Sequence, residues 1–287
     1  MSHTYLRFPA APNLPLAPDQ WDRRYQDQFA NVLRLYFNQL SGLLQELGSD
    51  QGGYHLSFPS GAFHQDGNTT LTSAMTNVST AAIQVASTAG FPSSGWILIG
   101  SEVISYTTKT ATTFDGTITR GVLGTTNVAH SAGDAITEVQ GTGSPTTIGT
   151  VLFTATDFSN GVSVDPNNQA NLLFAKAGIY NLQFSAQLLN FTTSEDNVTM
   201  WFALNGTDVP YSASIQQVNS KHGSSPGASI LTVNILQEVK PGDYITLKWT
   251  SDTGNTIVAT APAGTSPVHP VSPAIIFTAN FVSAPLR

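Results

Sequence analysis

Gly223-Ser224-Ser225-Pro226-Gly227 matches the G-x-S-x-G pattern of a nucleophile elbow, with His222 beside it. That pattern raises a serine for attack only on a sharp turn from a strand into a helix, above a parallel sheet. Here it stands in a polar loop between two alternating apolar stretches, and no third residue is marked out to orient the histidine. The six histidines, His3, His55, His64, His130, His222 and His269, show no metal-ligand spacing such as i, i+4 on a helix. Asp165-Pro-Asn-Asn168 and Glu195-Asp-Asn197 are oxygen-rich, but they read as turns before they read as calcium loops. Zero cysteines remove thiol catalysis, disulfides and cysteine metal sites together. Asp and Glu total 18, and no pair stands out as the acid and base of glycoside cleavage. The expectation is no catalytic residue, no metal and no cofactor. Binding usually lives on loops carried by a rigid scaffold, and Tyr211, Lys221 and His222 are the loop residues best suited to touch a partner.

Composition narrows the class of partner. The 287 residues carry a formal charge of -7 with only 11 Lys and Arg, which never cluster, so nucleic acid is not an expected partner. No apolar run approaches the roughly 18 residues of a membrane span, so membrane insertion is not expected either. The opening Met1-Ser-His-Thr-Tyr-Leu-Arg7 has no signal-peptide core, which predicts synthesis in a cytoplasm without secretion by that route. Charged residues make up 10% of the chain, against roughly 25% in ordinary globular proteins. Ser, Thr, Asn and Gln must solvate the surface, and such a surface suits a subunit of a larger assembly.

Strands dominate the elements that must hold these residues. Gly178 to Asn190 alternates through Ile179, Leu182, Phe184, Ala186 and Leu188 after one slip at Tyr180, the signature of a strand with one buried face. Val198, Met200, Phe202 and Leu204 alternate up to the turn Asn205-Gly206. In the next run Ile230, Thr232, Asn234 and Leu236 face away from Leu231, Val233 and Ile235. Strands at short spacing from Val151 to the carboxy terminus predict a sandwich or barrel. Residues 77–141 read as a separate small β-module, with a hairpin turn at Asp115-Gly116 and a closing linker at Gly141-Thr-Gly-Ser-Pro145.

The amino-terminal part differs. Pro9, Pro12, Pro15 and Pro18 recur every three residues, so residues 1–18 are expected to be extended. The apolar Tyr5, Leu6, Phe8, Leu14 and Leu16, with Trp21 beyond them, favour a docking arm over a free tail. One long helix is expected over 19–47, capped by Asp19 and stopped at Gly48. Tyr25, Phe29, Val32, Tyr36, Leu40, Leu43 and Leu47 form its stripe, and Leu33, Phe37 and Leu44 widen it beyond a two-stranded seam. At about 43 Å such a helix should pack on copies of itself, on another protein, or on its own β-domain. Residues 48–76 complete the plan as a linker and a first strand.

Phe174-Ala-Lys-Ala-Gly-Ile-Tyr-Asn-Leu-Gln-Phe184, Trp201-Phe-Ala-Leu-Asn-Gly-Thr207, Val239-Lys-Pro-Gly-Asp-Tyr-Ile-Thr-Leu247 and Ile275-Ile-Phe-Thr-Ala-Asn-Phe-Val282 resemble, in this order, the motifs of the C1q and tumour-necrosis-factor-like jelly roll. The version here is similar to a group of tailed-phage virion proteins, through Gly61-Ala-Phe-His64, Asp157-Phe-Ser-Asn-Gly-Val162 and Asn205-Gly-Thr-Asp-Val-Pro210. Leu6-Arg-Phe-Pro9, Trp21-Asp-Arg-Arg-Tyr25 and Leu33-Arg-Leu-Tyr-Phe-Asn-Gln-Leu40 look phage-like too. Phe91 to Tyr106, with Thr119-Arg-Gly-Val-Leu-Gly124 and His130, resembles a small module that recurs in phage structural proteins. These motifs specify a fold more than a function.

The resemblance implies a mainly β protein: an arm (1–18), an anchoring helix (19–47), a linker and first strand (48–76), an inserted β-module (77–141) and a jelly roll (142–287, discontinuous with about 58–76). It implies a homotrimer, with Tyr180, Phe184, Phe202, Trp249, Phe277 and Phe281 in the core or at the trimer seam. The expected role is a virion tail or baseplate fibre, assembled in the host cytoplasm, docked on other virion proteins by its arm and helix. Its jelly-roll loops would meet a host-surface glycan or protein. A head fibre or capsid decoration protein is the alternative, followed by a carbohydrate depolymerase and a cellular C1q-like binding module.

Overall fold

The computed structural model describes residues 9–16, 18–47, 58–265 and 268–284. The protein is mainly β, with antiparallel sheets and one helix of 25 residues. The chain divides into two compact units, Met1–Phe58 and Pro59–Arg287.

In the first unit residues 9–16 adopt no regular structure, and helix α1 spans Arg23–Leu47. It begins at Arg23 rather than at the expected Asp19, because Asp22 is the cap. The Asp22 carboxylate accepts the Arg24 N–H at 2.8 Å, and its carbonyl accepts the Gln26 N–H at 3.2 Å. The helix is correspondingly shorter, about 37 Å. Along its stripe Leu43 is buried, Tyr25, Phe29, Val32, Leu33, Tyr36, Leu40 and Leu47 are half-buried, and Phe37 and Leu44 are exposed. Leu14, Leu16 and Trp21 are exposed as well. Tyr5, Leu6 and Phe8 lie outside the described residues.

The main strands of the second unit, in chain order, are β1 (Ser60–His64), β2 (Gly95–Ile99), β3 (Glu102–Tyr106), β4 (Thr119–Val122), β5 (Ala135–Gly141), β6 (Ala155–Asn160), β7 (Val162–Asp165), β8 (Asn168–Phe174), β9 (Gly178–Asn190), β10 (Asp196–Leu204), β11 (Ser214–Val218), β12 (Gly227–Val239), β13 (Tyr244–Ser251), β14 (Ile257–Ala259) and β15 (Ile275–Ser283). β9 pairs with β12 along its whole length and with β15 on its other edge. β1 lies next to β15, held by hydrogen bonds from Gln65 N–H to the Ile275 carbonyl (3.4 Å) and from Phe281 N–H to the Pro59 carbonyl (3.0 Å). β6 pairs with β1. A second sheet, ordered β7-β8-β13-β10-β11, packs against this one.

Tyr180, Leu182, Phe184, Ala186 and Leu188 form the buried row of β9. The alternation has no slip: Tyr180 belongs to the inner row and Ile179 to the outer. Its hydroxyl donates to the Lys176 carbonyl at 3.0 Å, so the ring enters the core with its polar tip satisfied. Phe184 meets Phe202 with ring centroids 5.4 Å apart, and Phe202 meets Phe277 at 6.2 Å. Trp249 is fully buried in the same cluster, and Phe281 packs on its margin. The Asn205-Gly206 turn closes a hairpin with φ values of 50° and 82°, as the dipeptide predicts.

Between β1 and β6 the chain builds a sheet ordered β5-β2-β3-β4, with Asn68–Thr70 on the far edge of β5. One face of this sheet has its own core, including Leu71, Ile83, Phe91, Ile97, Ile104, Tyr106, Phe114 and Ile136. The other face packs Leu98, Val103 and Val139 against Phe191, Ile257 and Ala259. Strand β14 joins the halves: it pairs with β9 at Leu188 and Leu189 and with β5 at Val139 to Gly141. Asp115-Gly116 is not a hairpin turn. The chain there passes from a small sheet (Thr113–Asp115 pairs with Thr108–Lys109) to β4, and the hairpin lies at Thr110 to Thr112, where Thr110 N–H reaches the Thr113 carbonyl at 2.9 Å.

A buried ionic knot holds the long connections of this sheet. Arg120 grips Glu102 through Nε–Oε1 (2.6 Å) and Nη2–Oε2 (2.7 Å) and donates to the carbonyls of Thr76, Ser79 and Val128. Its five N–H donors are thereby used. His130 Nε2 lies 2.9 Å from Glu102 Oε2. Burial alone would raise the Glu102 carboxyl, but bonds from Arg120, Val128 N–H and His130, with the Arg120 charge, bring it below its ordinary value. The residues that carry the sequence resemblance here, Glu102, Arg120 and His130, are thus a structural staple. Arg120→Met should cost about 3–5 kcal/mol in urea unfolding, because it removes the guanidinium that compensates the buried Glu102 and leaves that carboxylate only His130 and two amides. The double variant Glu102→Gln/Arg120→Met should recover part of that loss.

Candidate functional site

The junction of the two sheets, at the Asn190 end of β9, gathers the loop chemistry. Asn190 Oδ1 accepts Thr192 N–H (2.9 Å) and its Nδ2 donates to the Ser194 carbonyl (2.8 Å), which fixes the turn after β9. Lys221 N–H reaches the Thr192 carbonyl at 2.8 Å, so the loop between β11 and β12 lies on that turn. Behind it Asp196 is buried and takes hydroxyl donors from Ser251 (2.9 Å), Thr253 (2.9 Å) and Thr256 (2.5 Å). Burial raises this carboxyl, but those hydroxyls and the Thr253 amide outweigh it and hold it below its usual range.

On this frame lies a pocket of about 170 Å³ lined by Ser101, Gly124, Thr125, Thr126, Phe191, Lys221, Gly223 and Ser224. Ser101 and Gly124 to Thr126 come from the β2–β5 sheet, and the remaining residues from the sandwich. Among the described residues no carboxylate lies within ion-pair distance of Lys221. One unpaired ammonium among hydroxyls suits an oxygen-rich ligand group, above all an anionic one.

The structure separates the three loop residues marked out by sequence. Lys221 lines this pocket, and His222 is exposed beside it. Tyr211 lies at the other end of β11, since the β10–β11 ladder runs from Asp196↔Val218 to Met200↔Ser214. Its side chain is 104% exposed and its φ is 63°, an uncommon backbone state for a ring-bearing residue. The G-x-S-x-G stretch is the tip of the β11–β12 connection, where Ser225 N–H reaches the His222 carbonyl (3.1 Å) and His222 N–H the Ser225 carbonyl (2.9 Å). A strand, not a helix, follows it, so Ser225 is not on an elbow. Among the described residues no three His, Asp or Glu side chains are grouped to hold a metal ion, and no helix is long and apolar enough to cross a membrane.

Sequence reading missed the most perturbed carboxyl. Glu138 on β5 has no exposed surface, and neither oxygen receives a hydrogen bond of normal geometry. Burial pushes it up to about 8; Gln65, the Lys109 charge and the Gly67 amide offset part of this, and the Asp66 charge adds to it. Ala135-Ile-Thr-Glu-Val139 did contain a signal, because alternation puts Glu138 on the same face as Ile136. Ser101, Thr125, Thr126 and Ser224 gave none, since only the fold brings them to Lys221.

No protein-family model matches the sequence, and no curated protein matches it either. The site's chemistry is carried by its own residues.

The Glu138 carboxyl holds its proton in the folded chain to a higher pH than in the unfolded chain, whose value is near 4.5. Its stabilising contribution is complete below that value and is lost as pH rises toward about 8, by up to about 1.4 kcal/mol per pH unit. Glu138→Gln should flatten this slope in urea titrations between pH 5 and pH 8. Glu102 and Asp196 act in the opposite sense, so stability should also fall on acidification below about pH 4 in both proteins.

Proposed function

We propose that the chain is a non-enzymatic structural protein of a tailed-phage virion. It forms a homotrimeric tail or baseplate fibre, docked to the particle by its amino-terminal arm and helix. A C1q/TNF-like jelly roll, with the β2–β5 module inserted at its outer end, meets the host surface.

The observation that carries this reading is the outer face of the β12-β9-β15 sheet. Its cross-strand rows are Leu236, Asn181 and Asn280; Asn234, Gln183 and Thr278; and Thr232, Ser185 and Ile276. No charge stands in these rows, and Leu236 and Ile276 are exposed, as is Ile230 further along β12. Asn181 Oδ1 is buried without a hydrogen-bond partner. A face of amides and aliphatics whose one charge, Glu238, stands at the Ile179 end suits a subunit contact better than it suits solvent. The sheet orders β6-β1-β15-β9-β12 and β7-β8-β13-β10-β11 agree with a jelly roll of this type, which the sequence resemblance associates with trimers.

The polarity of the second unit adds support. Its chain begins at Pro59, beside Phe281 and hence the Tyr180 end of β9, whereas β14 and the Lys221 pocket adjoin the Leu189 end. These points are about 30 Å apart along the strand. Three weak sites on one rigid spike gain by avidity.

Purified protein should scatter light with a mass of three times 30.4 kDa. Leu236→Asp combined with Ile276→Asp should reduce it to one chain without loss of β circular dichroism. Gold-labelled antibody against 142–287 should decorate the tail end of virions from a phage that encodes the chain. Gold over the head would replace this reading with capsid decoration, and oligosaccharide release from host envelope would replace it with a depolymerase.

A further inference from the structure

Among the described residues three lysines are half-buried, and two of them are tied. Lys109 Nζ donates to the Thr88 carbonyl (2.8 Å) and to that of Phe91, and Lys248 Nζ pairs with Asp208 (2.8 Å) and donates to the Gly206 carbonyl (3.1 Å). Lys221 is the third. Its backbone N–H is used, but its ammonium meets no acceptor and no carboxylate among the described residues. A cation drawn partly out of water favours a partner, and this one lines the pocket of about 170 Å³ at the seam.

Other polar groups of that lining are open too. Ser101, Thr126 and Ser224 are exposed, and their hydroxyls make no hydrogen bond among the described residues. Only the Thr125 hydroxyl is spent, accepting Val103 N–H (3.0 Å) and donating to the Val122 carbonyl (2.7 Å). The amides of Gly223 and Ser224, at the tip of the turn that His222 and Ser225 close, are unpaired as well. The two walls are held close: Gly124 has a φ of 77°, and a Cβ there would stand 2.6 Å from Thr192 Cγ2. In the larger pocket of about 290 Å³, lined by Trp96, Glu138, Gln140, Thr142 and Trp249, the oxygens of Glu138 and Thr142 are by contrast enclosed, and the Gln140 amide is tied to Gln65 and Leu152.

The chemistry of the Lys221 pocket narrows its occupant. No acid lines it, so an anion meets no repulsion there. Its volume equals roughly six waters at about 30 Å³ each and lies well under the roughly 300 Å³ of ligand pockets, so it takes one group of a larger molecule. Donors stand on both walls, Ser101 and Thr126 on one, Lys221 and Ser224 on the other. The two coplanar oxygens of a carboxylate address one wall, whereas the tetrahedral oxygens of a phosphate address both. One ammonium neutralises one charge, which a phosphate diester carries and a monoester exceeds. Nucleic acid, also a diester, calls for a row of cations, and this pocket has one.

We propose that the Lys221 pocket binds a single phosphodiester group, with Lys221 against its charge and Ser101, Thr126 and Ser224 donating to its oxygens. The source, a polyol-phosphate polymer of the host surface, rests on the function proposed above; the pocket chemistry stands without it.

The test uses the full chain with dimethyl phosphate, and with acetate and glycerol as the planar-anion and neutral controls. Saturation-transfer NMR titration should give dimethyl phosphate a Kd of about 5 mM, modest because one small group is held. Acetate should bind about fivefold more weakly, and glycerol not at all. Lys221→Met, which keeps the stem and drops the charge, should abolish binding with Tm unchanged, because no internal bond is lost. Lys221→Arg should retain affinity within about threefold. Ser101→Ala, on the opposite wall, should weaken binding about threefold, which a surface lysine acting by itself would not produce. The proposal is overturned if dimethyl phosphate does not bind at about 50 mM, if acetate binds as tightly, or if Lys221→Met or Ser101→Ala binds like the parent. Attachment of fluorescent protein to host cells is read separately. Loss of phosphate binding and of attachment together in Lys221→Met supports both pocket and source. Phosphate bound by a parent that attaches to no cells would sink the host-surface reading and spare the pocket, and attachment without phosphate binding would do the reverse.

Discussion

Strand β14, three residues from Ile257 to Ala259, hydrogen bonds along both edges, to β9 on one side and β5 on the other. Through it the sandwich and the β2–β5 sheet share a continuous run of strands. All three residues are buried, and Ile257 and Ala259 help to form the cluster that fills the seam with Phe191, Val139 and Leu98. A module tied only by its two chain connections would be free to swing. One whose sheet is continued by a buried strand has to unfold part of the seam in order to move.

Both pockets depend on that seam. The Lys221 pocket takes one wall from the Ser101 and Gly124–Thr126 loops and the other from the loop between β11 and β12. The Glu138 pocket takes Trp96 from β2 and Trp249 from β13. Three buried carboxyls near the seam contrast in how they are accommodated. Glu102 is neutralised by Arg120, and Asp196 is solvated by threonine and serine hydroxyls, so both are structural ties. Glu138 has neither kind of partner; Gln65, the Gly67 amide and the Lys109 charge only partly offset its burial. With charged residues at 10% of the chain, an acid placed in this way is a specific feature rather than spare surface charge.

Alternation was readable wherever one face of a strand is buried and the other is not. Most of β9, β10 and β12 follows the sequence pattern, because a two-residue period leaves little freedom in which side turns inward. The reading erred where a polar tip found a local partner. Tyr180 is an inner residue because the Lys176 carbonyl accepts its hydroxyl, and the helix starts at Arg23 because Asp22 reaches the Arg24 amide. Asp115-Gly116 has hairpin chemistry, yet its flanking strands pair elsewhere, which is a tertiary choice. For the same reason Lys221 and Tyr211, alike as loop residues, lie at opposite ends of β11, and the partners of Lys221 come from a part of the chain distant in sequence. Glu138 was visible only as an acid in an apolar row; the burial that its neighbours fail to offset is a property of the packed state.

The most direct measurement of the seam is native-state hydrogen exchange of the amides of β14, read together with those of Phe184 and Ile97 as reporters of the two halves. If β14 joins the halves into one cooperative unit, the three regions exchange with the same free energy and the same dependence on urea. Exchange of Ile97 through an opening that leaves Phe184 protected and β14 free would show the module unfolding by itself, and would contradict the account.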